Sequence, residues 1–232
     1  MITKRPSRER GRREMGWLSA RHSFSFGSYH DPKWMGFRHL RVLNEDWIQP
    51  SRGFPMHPHK DMEIITYVLE GGLRHKDSVG NAGVIKPWHI QRMSAGRGIR
   101  HSEFNASAKK PVHLLQIWIL PDRRNHKPSY EEKSFPPEAR KNRLVLVASP
   151  DGRQGSVKMN QQAFMYASVL EKDKKVVYEM NPKRYGWLQV ASGRLLINGK
   201  KYDEGDGAAI QQEKKLTIQA REGAEFVFFD LP

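Results

Sequence analysis

Residues 63–71 read Glu-Ile-Ile-Thr-Tyr-Val-Leu-Glu-Gly. A short run rich in β-branched and aromatic residues that ends at a glycine is typical of a β-strand followed by a turn. Similar short runs fill most of the chain, and turn dipeptides such as Asn198-Gly199, Asp206-Gly207 and Glu222-Gly223 separate them. No long stretch keeps the 3.6-residue apolar period of an amphipathic helix, so the pattern predicts an all-β fold. The predicted strands cover residues 40–43, 63–69, 83–85, 90–93, 114–120, 144–148, 163–170, 175–180, 185–191, 194–197, 208–211, 215–219 and 225–229.

The same arrangement of strands occurs twice. Tyr67-Val-Leu-Glu-Gly71 has a counterpart in Leu188-Gln-Val-Ala-Ser-Gly193, and in both halves two further strands follow at similar spacing. Such duplication predicts two tandem β-barrels or double-sheet jelly rolls. Residues 126–143 are polar and proline-containing, so we interpret them as a linker between an N-terminal domain, 1–125, and a C-terminal domain, 144–232. A helical turn is predicted within this linker, around residues 137–141.

Composition narrows the class of protein. The chain has 232 residues and no cysteine, which excludes disulfides and thiolate metal sites. It contains neither an apolar run of about 20 residues nor a signal-peptide pattern, and we expect a soluble, cytoplasmic protein without a membrane partner. The net charge is +15, but lysine pairs such as Lys200-Lys201 lie at predicted turns, where they are expected to be solvated. No recognition motif accompanies the charge, so direct nucleic-acid binding is not expected.

Two triplets, His57-Pro58-His59 and His101-Ser102-Glu103, carry the candidate chemistry. Residues at i and i+2 of a strand project from the same face, roughly 6.6–7 Å apart. Two such pairs on neighbouring strands would converge on one point. Three imidazoles and a carboxylate suit a divalent transition metal, and four ligands leave an octahedral ion two open positions. No histidine follows His126, so the metal site is predicted in the N-terminal half alone.

Glu63 is the competing carboxylate. It lies four residues beyond His59, ~13 Å along an extended strand, whereas His101 and Glu103 share a strand face. This spacing favours Glu103 as the ligand and leaves Glu63 as a surface residue or a neighbour of the ligands.

Other residues near the triplets allow two interpretations each. His75 and Asp77 either support the metal site or lie in a solvated turn, and His113 either lines the substrate cavity or is a hydrogen-bonded barrel residue. The aromatic residues between 24 and 37 either line a flat apolar cavity or pack in the core. From these sets, we predict Phe24, Phe37 and His113 as substrate-cavity residues. Gly96 and Gly98 are predicted to form the tight turn that delivers His101.

Longer motifs resemble those of known families. Gly53-x-x-x-His57-x-His59-x-x-x-Glu63 and Gly98-x-x-His101-x-x-x-Asn105 are similar to the two cupin motifs. The likeness to the pirin family, including the bacterial pirin-like quercetin 2,3-dioxygenases, is more specific and extends over residues 17–121. It is carried by His22-Ser-Phe-Ser-Phe26, Met35-Gly-Phe37, His57-Pro-His-Lys-Asp-Met-Glu63, Tyr67-Val-Leu-Glu-Gly71, Ser94-Ala-Gly-Arg-Gly-Ile-Arg-His-Ser-Glu103 and Gln116-Ile-Trp118.

This resemblance implies a bicupin with one metal, bound by His57, His59, His101 and Glu103. Iron is the ion expected first, with Ni, Cu, Mn, Co and Zn as alternatives. It also implies a monomeric dioxygenase that opens the ring of a flavonol such as quercetin with O₂ and releases CO, with Glu103 as both ligand and general base. One alternative is a non-enzymatic, metal-dependent transcriptional cofactor that acts through a protein partner. Another is cupin chemistry on an unrelated small substrate.

Overall fold

The computed structural model describes residues 1–232, and nearly all of its regular structure is β. The strands of the N-terminal lobe and its neighbouring segments are β1 (Ile2–Arg5), β2 (Gly11–Glu14), β3 (Leu18–His22), β4 (Leu40–Ile48), β5 (Gly53–His59), β6 (Glu63–Glu70), β7 (Leu73–Asp77), β8 (Ala82–Ile85), β9 (His89–Ser94), β10 (Ile99–Asn105), β11 (Val112–Ile119) and β12 (Ser129–Ser134). Those that follow are β13 (Val145–Ser149), β14 (Val157–Lys158), β15 (Phe164–Leu170), β16 (Lys175–Glu179), β17 (Tyr185–Ser192), β18 (Arg194–Ile197), β19 (Lys200–Asp203), β20 (Gly207–Gln211), β21 (Lys215–Ala220) and β22 (Ala224–Leu231). One helical turn, α1 (Pro137–Arg140), and two 3-10 turns, Ser7–Glu9 and Arg153–Gly155, complete the structure.

The strands form two lobes, each built from a seven-stranded and a four-stranded sheet. In the N-terminal lobe the orders are β12-β9-β6-β11-β4-β3-β2 and β5-β10-β7-β8. In the C-terminal lobe they are β1-β20-β17-β22-β15-β13-β14 and β16-β21-β18-β19. Every predicted strand is present, and the predicted all-β, duplicated architecture is confirmed.

Two strands cross the predicted domain boundaries. β1 pairs with β20, with Ile2 opposite Ile210, so the start of the chain belongs to the C-terminal lobe. β12 lies inside the predicted linker, yet it pairs with β9 along its whole length. Both strands cover sheet edges whose backbone groups would otherwise lack partners. The polar composition of residues 126–143 therefore marks an edge strand together with the predicted helical turn, α1.

The two barrel interiors differ in kind. The interior of the C-terminal lobe is one cluster of 16 buried residues that includes Leu188, Phe226 and Phe228. The interior of the N-terminal lobe is divided into apolar clusters of 8 and 4 residues, with polar side chains between them. The largest cluster, of 23 residues, lies between the lobes. The predicted metal residues lie in this divided N-terminal interior.

Charged residues are distributed unevenly between surface and interior. Lys200 and Lys201 are exposed, as predicted. Arg5 and Arg10, two of the five arginines among the first 13 residues, are instead buried. Arg10 donates hydrogen bonds to Glu45 Oε2 at 2.6 Å and to the carbonyl oxygen of Gly205 at 3.2 Å, and so connects the two lobes.

No helix in the structure is long and apolar enough to span a membrane.

A buried arginine joins α1 to both lobes. Arg140 Nη1 donates hydrogen bonds to the hydroxyl of Tyr67 on β6 and, at 3.0 Å, to Glu225 Oε1 on β22. The Tyr67 hydroxyl in turn donates to Glu225. Because the Arg140 side chain is fully buried, its charge depends on this single carboxylate for compensation.

Candidate metal centre and its cavity

The two triplets lie on adjacent antiparallel strands. His101 on β10 is directly opposite His57 on β5, and a bulge in β5 shifts the register before Glu103. Bulges re-aim side chains locally. The result is that nitrogen atoms of His57, His59 and His101 lie within 4.8 Å of one another. Glu103 Oε2 lies 3.9 Å from His101 Nε2, so the structure brings all four predicted residues together.

The surroundings of the three imidazoles suit metal binding. His57 Nδ1 lies 2.8 Å from the carbonyl oxygen of Pro55, which leaves Nε2 free for a ligand. Burial and the neighbouring histidines lower the pKa of His101 to about 3 and that of His59 to about 4. Both rings are therefore neutral at physiological pH. Neither nitrogen of the buried His101 ring has a hydrogen-bond partner in the protein, and this donor set fits a divalent transition metal.

Glu103 is held by one of its two oxygens. Gln116 Nε2 on β11 donates to Glu103 Oε1 at 3.0 Å, and Thr66 Oγ1 donates to Gln116 Oε1 at 3.4 Å. The other oxygen of Glu103, Oε2, faces His101. The carboxylate is thus oriented with one oxygen available to a metal or a proton.

Two glycines allow the backbone to adopt this geometry. A Cβ at Gly53 would lie 2.1 Å from the carbonyl oxygen of Glu103, so a side chain there would push β5 away from β10. Gly96 has a φ of +48°, and a Cβ on it would lie 2.0 Å from the carbonyl oxygen of His126. Gly96 and Gly98 form the turn that precedes β10, as predicted for the delivery of His101.

A cavity of about 170 Å³ adjoins the four residues. Its walls combine aromatic, aliphatic and amide side chains with one further carboxyl group. They are formed by Phe26, Asn44, Asp46, Phe54, His57, His59, Ile64, His101, Glu103, Gln116 and Trp118.

The three residues predicted for the substrate cavity lie elsewhere. Phe24 and Phe37 pack against Trp187 between the lobes, with ring centroids 4.7 and 5.7 Å away. His113 Nε2 lies 3.0 Å from Glu45 Oε1, and its ring stacks on Trp47. Strand alternation explains the error for His113, because residue 113 faces the opposite side of β11 from Gln116. Asn44 and Asp46, which share one face of β4, border the cavity and were missed by the prediction.

Glu63 is neither exposed nor part of the cavity. Its side chain is buried, it accepts a hydrogen bond from the hydroxyl of Ser94, and Glu63 Oε2 accepts one from the backbone of Asn160 at 3.1 Å. Its role is to join the lobes. His75 and Asp77 are also buried, and the His75 ring centroid lies 5.3 Å from that of His101, which favours the interpretation of this pair as support for the site.

Asp46 is an unusual acid. It is buried, no protein group forms a hydrogen bond with its carboxyl, and burial together with the charge of Glu103 raises its pKa to about 7.

An acid whose pKa is raised on folding destabilises the folded state. The destabilisation grows as the pH rises from the pKa of the unfolded chain through the pKa of the folded protein. Asp46→Asn removes this loss of stability. The free energy of unfolding that the metal-free variant gains over wild type should therefore be about 2–3 kcal/mol larger at pH 8 than at pH 5. Thermal unfolding of both proteins in chelator at the two pH values measures the difference, and an equal difference at both would contradict the assignment.

Comparisons with known proteins agree with this geometry. The Pirin family model matches residues 3–119, and a model described as the quercetinase C-terminal cupin domain matches residues 146–231. A protein named quercetin 2,3-dioxygenase from Escherichia coli strain K12 is 46% identical over 232 residues, which covers all of this chain and 99% of that protein. A putative quercetin 2,3-dioxygenase from Zymomonas mobilis is 42% identical and covers 98% of this chain and 97% of its own. The crystal structure of the bacterial pirin YhhW from E. coli, in complex with nickel(II), superposes with a TM-score of 0.95 at 46% identity and covers 100% of this chain and 99% of that one.

Proposed function

The chain belongs to the pirin family, and on that premise we propose that it is a metal-dependent quercetin 2,3-dioxygenase that opens the ring of a flavonol with O₂ and releases CO. The observation that carries the proposal is the convergence of three imidazoles and one carboxylate on a cavity with aromatic walls. The name of the E. coli relative, at 46% identity over the full chain, supports the reaction type.

His57, His59, His101 and Glu103 are the proposed ligands of one divalent metal. The chemistry that such an ion supplies when bound is Lewis-acid polarisation of a chelating substrate and access to O₂ at its open positions. Iron remains the first expectation, and the nickel(II) complex of the relative supports nickel as an alternative.

The proposed work of the protein's own side chains is positioning and proton transfer. Phe26, Phe54 and Trp118 offer flat apolar walls to an aromatic substrate and exclude water from it. Gln116 keeps Glu103 oriented, so Oε2 can accept the proton of the substrate hydroxyl. A cytoplasmic location and a monomeric state stay predictions.

Glu103→Gln should lower quercetin turnover by roughly 100-fold or more, since it removes a negative ligand and the general base together. The test is aerobic incubation of metal-analysed protein with quercetin, followed by flavonol absorbance and CO release. Glu63→Gln is the matched control, because Glu63 lies outside the cavity, and it should retain both metal and turnover.

Two outcomes would contradict the proposal. Loss of metal in Glu63→Gln with retention in Glu103→Gln would reassign the carboxylate ligand. Full metal occupancy of wild type without turnover of quercetin would instead favour the non-enzymatic regulator.

A further inference from the structure

A second chamber adjoins the metal cavity. It has a volume of about 210 Å³, and four residues form the wall that both chambers share: Phe26, Asn44, Asp46 and Phe54. The remaining lining residues come from β2, β3 and the segment between them, and they are Arg13, Met15, Trp17, Leu18, Ala20 and His22. We call it the distal chamber.

Neither chamber alone suits a molecule of several rings. Small-molecule sites usually measure ~300–1,000 Å³, and each chamber is smaller than this range. The two together fall within it. Because the same four side chains line both chambers, the chambers are adjacent, and a ligand with two aromatic parts would place one part in each.

Asp46 presents at this shared wall a carboxyl group that has no hydrogen-bond partner in the protein. Its cross-strand neighbours are Leu114 on β11 and Ala20 on β3, and neither side chain can form a hydrogen bond with it. Asp46 is only 5% exposed, yet it borders both chambers. Its oxygens have no protein hydrogen-bond partner and line both chambers, so they are free to accept a donor supplied by a ligand.

Asn44 adds a donor on the same strand face. Its Oδ1 lies 2.8 Å from His22 Nδ1, which leaves the Nδ2 amide group without a protein partner at the shared wall. Asn44 and Asp46 are two residues apart on β4, so their side chains are roughly 6.6–7 Å apart along the strand. An acceptor and a donor at this spacing, between Phe26 and Phe54, match a hydroxylated aromatic ring.

We propose that the distal chamber binds the phenyl ring of the flavonol, with Asp46 accepting a hydrogen bond from a phenyl hydroxyl and Asn44 Nδ2 donating one to a hydroxyl oxygen. The phenyl ring is the part assigned to this chamber, because a single bond joins it to the fused rings and lets it rotate independently of them. This inference rests on the proposed function and names its specificity-determining residues.

The test compares quercetin with galangin, which differs from quercetin only by lacking the phenyl hydroxyls. Dissociation constants are measured without O₂ on nickel-loaded protein by quenching of tryptophan fluorescence, and kcat/KM is measured in air on the same proteins. Wild type should prefer quercetin, and Asp46→Ala should weaken quercetin binding roughly 10- to 100-fold while galangin changes by less than about 3-fold. The matched control is Glu45→Gln, whose side chain faces the opposite side of β4 and binds Arg10; it should keep the wild-type preference.

A second variant keeps the test independent of the folding of Asp46→Ala. Met15 is 42% exposed and borders the distal chamber, so Met15→Trp should fold and narrow it. It should weaken quercetin and galangin but not 3-hydroxychromone, which has no phenyl ring. Equal quercetin-to-galangin ratios in wild type and Asp46→Ala, or equal weakening of all three ligands by Met15→Trp, would overturn the inference. Absence of turnover with the expected ratios of dissociation constants would overturn the proposed reaction and leave the distal chamber standing.

Discussion

His101→Ala should abolish metal binding and reduce quercetin turnover by more than about 100-fold, because even the loss of a residue outside the metal's own ligands typically costs 10–100-fold. His101 is 1% exposed, both of its ring nitrogens lack a protein partner, and its neutral ring lies between His57 and His59. No other side chain of β10 can replace it. Metal content per chain, measured by mass spectrometry after reconstitution, is the direct readout, with turnover as the second.

His113→Ala is the control for this variant. Both substitutions remove an imidazole from the same lobe, but His113 is hydrogen-bonded to Glu45 outside the cavity. Its alanine variant should bind metal as wild type does. Stoichiometric metal in His101→Ala, or its loss in His113→Ala, would show that the centre is built from other residues.

Arg140→Met should lower the free energy of unfolding by about 3 kcal/mol, since it leaves Glu225 and the Tyr67 hydroxyl without their buried cation. For a chain of this size that corresponds to a fall in Tm of about 6–12 °C. Calorimetry of the metal-free proteins measures it. The double variant Arg140→Met with Glu225→Gln should recover part of the loss, because the unpaired carboxylate is then gone as well.

Arg153→Met provides the comparison. Arg153 forms an ion pair with Asp151 at 2.8 Å, but both side chains are at least half exposed, and exposed pairs contribute little. No measurable change in Tm is expected. Equal effects of the two arginine substitutions would mean that burial does not determine the contribution of Arg140.

The clustering of the four candidate ligands and the fold were predictable because both depend on short-range periodicity. Alternation of side chains in a strand placed His57 with His59 and His101 with Glu103, and apolar alternation identified strands such as β6 and β17. β5 and β10 carry the candidate ligands but were not among the strands predicted from apolar pattern, since proline, histidine and charged residues interrupt them. Only the motif revealed them.

The cavity was not predictable from local pattern. Phe24 and Phe37 have the composition expected of an aromatic site, but the second lobe contributes Trp187, against which they pack. In the sequence, Asp46 looks like an ordinary polar residue near the end of a strand. It lacks a hydrogen-bond partner because its cross-strand neighbours are Leu114 and Ala20, which are distant in sequence. Which aromatic and acidic residues face a site depends on which sheets come together, and that information is not local.

The pairing of β1 with β20 has a consequence for the order in which the molecule can assemble during synthesis. Residues 2–5 leave the ribosome first, but their partners, residues 207–210, are made some two hundred residues later. Until then β1 is an unpaired strand on a chain whose metal-binding lobe is already complete, and closing so long a loop is slow. The C-terminal lobe is therefore completed only when translation is nearly finished, because β1 from the start of the chain can pair with β20 only then.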